Sequence, residues 1–359
     1  MPSGAHAAGG VTDTLWVTGG EQRGVPHWTR EWRLYRRALV VKVENGRATR
    51  VLEYETPPEH CPDETPSIVF KAGSVAGNRA FLCTQTEILV CDFPSFTIRR
   101  VISHPFFNDV HHVAPAPDGR LFVAVTGLDA VAELTPEGEL LRLQSVLGGS
   151  VWDRFSPEVD YRKIPTTKPH QAHPNYIFFL DGEPWVTRFE QRDAVPLDGN
   201  TNGKRRLSLG GEPVHDGVAS GKHVYFTAVN GILMRFDLEA DTKADFDLNR
   251  FSRPDRALGW CRGILPNADG TVWVGFSRIR YTALRQNVDW IRRGFHDVDR
   301  AAPAPTRIAR YDLVEGALKD EIELENAGMN TVFSIHRPSA SSATGKAQEL
   351  SSLSYDGRG

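Results

Sequence analysis

The stretch HHVAPAPDGRLFVAVTGLDAVAEL (His111–Leu134) carries the pattern that decides the fold. An apolar strand follows two histidines and turns on Asp118-Gly119. It returns as LFVAV and leads into a third strand, AVAEL. Asp-Gly supplies the positive φ that a tight hairpin needs. Four other segments share this layout: SIVFKAGSVAGNRAFLCTQTEILVCDF, HPNYIFFLDGEPWVTRF, HDGVASGKHVYFTAVNGILMRFDL and RGILPNADGTVWVGFSR. The turn glycines are Gly77, Gly119, Gly182, Gly221 and Gly270, spaced 39 to 63 residues apart. Repeats of this length, each with about four strands, are the mark of a β-propeller.

Five repeats give five blades. A sixth is assembled from both ends of the chain. TLWVTGG, RRALVVKVENG and RATRVLEYE supply three strands, and NTVFSIH (Asn330–His336) supplies the missing inner one. Pairing the two ends removes open sheet edges. The expectation is an all-β, six-bladed propeller over residues 12–338, with the N- and C-terminal strands closing one blade. Residues 1–11 and the Ser/Ala/Gly-rich 339–359 read as flexible tails.

The 359 residues are 40% apolar and 24% charged, with a net charge of -3. That near-neutral balance gives no reason to expect nucleic acid as a partner. No apolar run approaches the ~18 residues needed to span a bilayer. MPSGAHAAGG has no basic stretch followed by an apolar one, so a cytoplasmic location is expected. The four cysteines, Cys61, Cys83, Cys91 and Cys261, lack CxxC spacing and read as reduced, buried side chains. Cys83 and Cys91, on neighbouring strands, would be the best disulfide candidates.

Aligning the repeats on their turn glycines places the starts of the inner strands, which line the channel of a propeller. His111 and His112 fall there in one blade, His173 in the next and His215 in a third. Arg262, Asn330 and Glu64 complete the circle. A single histidine at a strand start is most often a packing residue; three in one register of adjacent repeats point to a site. Alternation along a strand lets only one of His111 and His112 face the channel.

Long loops are expected on the same side, with Trp28, Trp32, Tyr35, Trp152, Tyr161 and Trp290 as wall residues. YTALRQNVDWIRRG reads as an amphipathic helix ending at Gly294. Three converging imidazoles suit a divalent metal, zinc or iron rather than calcium, with a coordination position open for water or substrate. Asp109, Asp216 and Glu64 would be acid/base groups or partners of the ligands. Arg262 would hold a carboxylate, sulfate or phosphate.

The HHVAPAPDGRLFVAVTG…AVAEL pattern resembles the six-bladed propellers of the NHL and gluconolactonase-like superfamily. Within that group, the resemblance to the peptide amidating lyase implies a zinc held by His111 or His112, His173 and His215. VHHVAPAPDG and HPNYI are also similar to the arylsulfate sulfotransferases. That likeness implies a metal-free site in which His111 or His112, His173, Asn175, His215 and Arg262 hold a sulfuryl group and one imidazole is the nucleophile. The expected function is a metal-dependent lyase or hydrolase for a small organic, anionic substrate. Metal-free histidine catalysis and a non-enzymatic binding module are the alternatives.

Overall fold

A computed structural model describes residues 14–24, 30–198, 206–252, 257–278 and 304–338. The chain forms six four-stranded antiparallel sheets arranged as a β-propeller. Blade I consists of Thr331–His336, Leu15–Gln22, Tyr35–Glu44 and Arg47–Tyr54, from inside out. The C-terminal strand pairs antiparallel with the N-terminal one, Val17 opposite Ile335 and Thr18 opposite Ser334, and so closes the ring. The inner strands of blades II to VI are Ser74–Ala76, Val110–Pro115, Pro174–Leu180, Val214–Ser220 and Trp260–Pro266. All five turn glycines have positive φ.

Burial explains why the strands read as they do. Each blade is sandwiched between two others, so both faces of its middle strands are covered, and Leu121–Val125 is buried at every position. The core is therefore a circle of six apolar seams, one between each pair of adjacent blades. Leu15, Val41 and Trp273 pack between blades I and VI, and Ala114, Phe122 and Ile177 between III and IV. Outer strands such as Ile98–Ile102 are mostly exposed. The four cysteines are buried and free, so Cys83 and Cys91 are not bonded.

Five of the inner strands depart from regular pairing near their N-terminal ends. Their register slips at His111, at Asn175, across Asp216-Gly217, across Arg262-Gly263 and at Phe333. Such bulges turn side chains out of the sheet alternation. Glycine on the facing strand accommodates two of them. A Cβ on Gly275 would lie 2.4 Å from the Arg262 carbonyl oxygen, and one on Gly19 would lie 1.8 Å from that of Thr331. Among the described residues, no helix is long and apolar enough to cross a membrane.

Candidate functional site

The N-terminal ends of the inner strands, and the segments leading into them, bring one side chain from each blade into a closed circle around the channel. Lys71, in the extended segment leading into the inner strand of blade II, places Nζ 3.4 Å from His111 Nε2. The His111 ring lies 4.8 Å from His173, and His173 lies 6.2 Å from His215. His215 Nε2 is 3.2 Å from Arg262 Nη2. Arg262 lies over the Phe333 ring at 4.9 Å, and Lys71 lies over the same ring at 5.1 Å. Cation–π contact thus joins the two cations across blade I and completes the circle.

His111, His173, His215 and Arg262 stand where the sequence expects the circle. Lys71 and Phe333 occupy the places expected of Glu64 and Asn330. Glu64 is an exposed residue paired with Arg33 at 3.2 Å. The Asn330 side chain accepts from the Gln22 N–H. His112 points into the packing around its strand. Its Nδ1 accepts from the Ile177 N–H at 3.0 Å, its Nε2 meets Ser74 Oγ at 3.2 Å, and its ring stacks on Tyr176 at 3.7 Å. Asn175 donates to the Val214 carbonyl, while its buried Oδ1 has no partner among the described residues.

Asp109 sits beside the circle with its φ in the left-handed region, 3.1 Å from Lys71 Nζ. Burial opposes its charge, but the Lys71 ammonium, with Lys168 adding to it, outweighs burial and holds its carboxyl well below the usual range. Asp216 lies beneath Arg262. It accepts from Thr227 at 2.5 Å and from the Gly263 N–H of the bulge. Burial, working against these bonds and Arg262, raises its pKa to about 6. Burial followed by neighbouring cations pushes the His111 and His215 imidazoles well below their usual value. Burial is also the leading cause at His173, which falls to about 3. The imidazoles are therefore neutral at physiological pH.

The loops close over one side of this circle. Glu31, Trp32, Lys71, Gln85, Asp109, Pro165, Thr166 and Lys168 line a narrow cleft above it. Lys168 reaches Glu31 at 3.0 Å, joining the segment before blade IV to the first long loop. Of the expected wall residues, Tyr35 and Tyr161 are buried in the core and Trp152 is exposed. Trp28, Trp290 and the expected helix ending at Gly294 lie outside the described residues.

The donor set does not fit a resident divalent ion. Two of the three Nε2 atoms face cations, and among the described residues no three His, Cys, Asp or Glu groups come together so as to hold a metal. A lysine and an arginine beside the imidazoles oppose a further positive charge and favour an anion.

Sequence reasoning missed Lys71, Phe333, Lys168 and Asp129. A lysine inside the apolar run of SIVFKAG was the visible signal for Lys71. Asp129 is buried and binds Arg154 at 2.6 Å. Its carboxylate also takes the N–H groups of Gln171, Ala172 and His173 at 2.8–2.9 Å, which fixes the loop that carries His173.

No protein-family model and no curated protein matches this chain. Solved structures do. A Bacteroides caccae protein of unknown function is 12% identical with a TM-score of 0.58, covering 90% of this chain and 98% of its own. A chain of the nidogen/laminin complex is 8% identical with a TM-score of 0.50, covering 90% and 97%. Virginiamycin B lyase from Staphylococcus aureus is 14% identical, with a TM-score of 0.43 over 72% of this chain and 70% of its own. At these identities the likeness concerns the propeller fold.

Proposed function

We propose that the channel circle is the active site of an enzyme that acts on a small anionic organic molecule. The reaction class is lyase- or hydrolase-type proton transfer by neutral imidazoles, without a resident metal. The carrying observation is the circle itself, in which His111, His173 and His215 lie between Lys71 and Arg262. Lys71, Lys168 and Arg262 would bind the anionic group, Arg262 through its planar fork. A neutral imidazole can take a proton at pH 7, and the buried setting strengthens every charge interaction made there. Fold likeness alone assigns no reaction.

Sulfuryl transfer is the second reading, favoured by the buried Nε2 of His173, which has no partner among the described residues. That lone pair could form an N–S bond as the aryl O–S bond breaks, the aryl oxide leaving with the bond's electron pair and taking its proton from solvent.

The experiment is a turnover screen of aryl sulfates, phosphate esters and carboxylate esters with chelator-treated protein. His173→Ala and Arg262→Ala should each lower turnover, by roughly a hundredfold or more for His173→Ala. Turnover unchanged in both variants, or restored only by stoichiometric zinc, would overturn the reading. Inter-blade or rim binding with no turnover of any class would favour the binding module instead.

A further inference from the structure

The hydrogen-bond directions around His173 determine which of its nitrogens carries the proton. Thr167 Oγ1 lies 2.5 Å from the Gly127 carbonyl and 3.4 Å from Asn108 Oδ1. Both partners accept only, because the Asn108 amide nitrogen donates to the Tyr161 and Ile164 carbonyls. The hydroxyl proton is thus committed, and His170 Nε2, 3.3 Å away, meets an oxygen lone pair. His170 therefore carries its proton on Nε2, and its Nδ1 is bare. That nitrogen is 3.0 Å from His173 Nδ1, which must then be the donor. A neutral His173 with its proton on Nδ1 leaves Nε2 as an open lone pair. This Nε2 is buried and has no hydrogen-bond partner among the described residues.

The other two imidazoles differ. His111 Nδ1 donates to the Asp109 carbonyl at 2.8 Å, so its Nε2 lone pair accepts from Lys71. The lone pair of His215 Nε2 accepts from Arg262. His173 is the channel imidazole whose lone pair is not already engaged by a cation.

We infer that His170 and His173 act as one proton-carrying pair, with His173 Nε2 as the base and His170 as its positioning and proton-accepting partner. This assignment rests on the enzyme reading above. When Nε2 takes a proton from the bound molecule, the Nδ1 proton crosses to His170 Nδ1. One N–H bond breaks on His173 as one forms on His170, which becomes the imidazolium, and the shift reverses when the proton is returned. Burial, with Lys168 and Lys71 adding to it, holds His170 below its usual value, while the nearby Asp109 and Asp129 carboxylates oppose that shift and favour its charged form. Asp129 keeps the two rings in register through the three N–H groups it accepts.

The test uses full-length protein carrying ¹⁵N-histidine, together with diethyl pyrocarbonate, which attacks bare imidazole nitrogens. The wild type should show His173 protonated at Nδ1 and bare at Nε2, with scalar coupling across the Nδ1–Nδ1 bond. Carbethoxylation should fall on His173 Nε2. In His170→Phe it should slow by about fivefold to tenfold, the scale on which one hydrogen bond biases a tautomer, and His170→Gln should restore the rate. Thr167→Val, which leaves both rings in place, should remove the tautomer bias if His170→Phe folds poorly. A wild-type His173 protonated at Nε2, or a His170→Phe modification rate equal to wild type, would overturn the pair. Neither readout requires turnover. A failure here leaves the enzyme reading standing, turnover independent of His173 overturns His173 as the base, and an intact tautomer pair in a protein that turns over no substrate class removes the enzyme reading.

Discussion

His111 and His112 are adjacent in sequence and have opposite tasks. The bulge turns His111 toward the channel, while both nitrogens of His112 are engaged in its packing surroundings. His112→Ala should leave the Ile177 N–H and the Ser74 hydroxyl without this partner. A loss of about 2–3 kcal/mol in urea unfolding is expected, with anion binding by the folded fraction unchanged. Lys71→Met should act on anion binding, and it also leaves the Asp109 carboxylate without its ammonium partner. It keeps the stem and removes the charge, so sulfate affinity measured by calorimetry should drop roughly tenfold to a hundredfold. Strand alternation showed that only one of the two histidines faces the channel, but could not choose between them. The choice depends on an extra residue in the pairing, and a bulge leaves no residue-type signature in VHHVA. Lys71 was overlooked for a chemical reason: a search for metal ligands looks for imidazole and carboxylate and passes over a cation.

At the scale of the strand, bulges place His111, Arg262 and Phe333 in the circle, and facing glycines accommodate two of the slips. Gly19→Ala places a Cβ on the Thr331 carbonyl in the blade that closes the ring. Thermal unfolding should show a loss of about 3 kcal/mol or more, since backbone rather than a flexible side chain must yield. Asp216 holds the Arg262 bulge through the Gly263 N–H, and its raised pKa gives a signed prediction. Between the unfolded carboxyl value near 4 and the folded value of about 6, the native state binds the extra proton. The contribution of Asp216 therefore weakens as pH rises through that window, by on the order of 3 kcal/mol. The stability difference between wild type and Asp216→Asn, from urea titrations at pH 4 and 7, should move against the wild type as pH rises. A difference independent of pH would contradict this. The turn glycines and blade count were legible because each hairpin repeats the same local chemistry. The first long loop and the segment before blade IV could be placed on the site's side but not assigned their contacts, because the Lys168–Glu31 pair joins residues 137 positions apart. In blade IV the long connection instead joins the third and fourth strands, Asp193–Pro196 and Leu207–Ser208.

Across the whole molecule, six apolar seams and one terminal strand pair hold the ring closed, and the polar circle sits where the seams meet the channel. Buried neutral histidines make the fold acid-sensitive. Burial lowers His112 and His173 to about 3 and His336 to about 4. The unfolded chain takes up these protons first, so their stabilising effect is complete above about pH 6.5 and is lost as pH falls toward those values. Acid unfolding followed by circular dichroism should therefore proceed with uptake of several protons per chain. The central claim is an anion site made by Lys71, Arg262 and neutral imidazoles. Calorimetric titration of chelator-treated protein with inorganic sulfate tests it most directly. One saturable site per chain is predicted, lost in the Lys71→Met/Arg262→Met double variant while the fold is retained. Sulfate binding unchanged in that variant, or absent from the wild type until stoichiometric zinc is added, would contradict it.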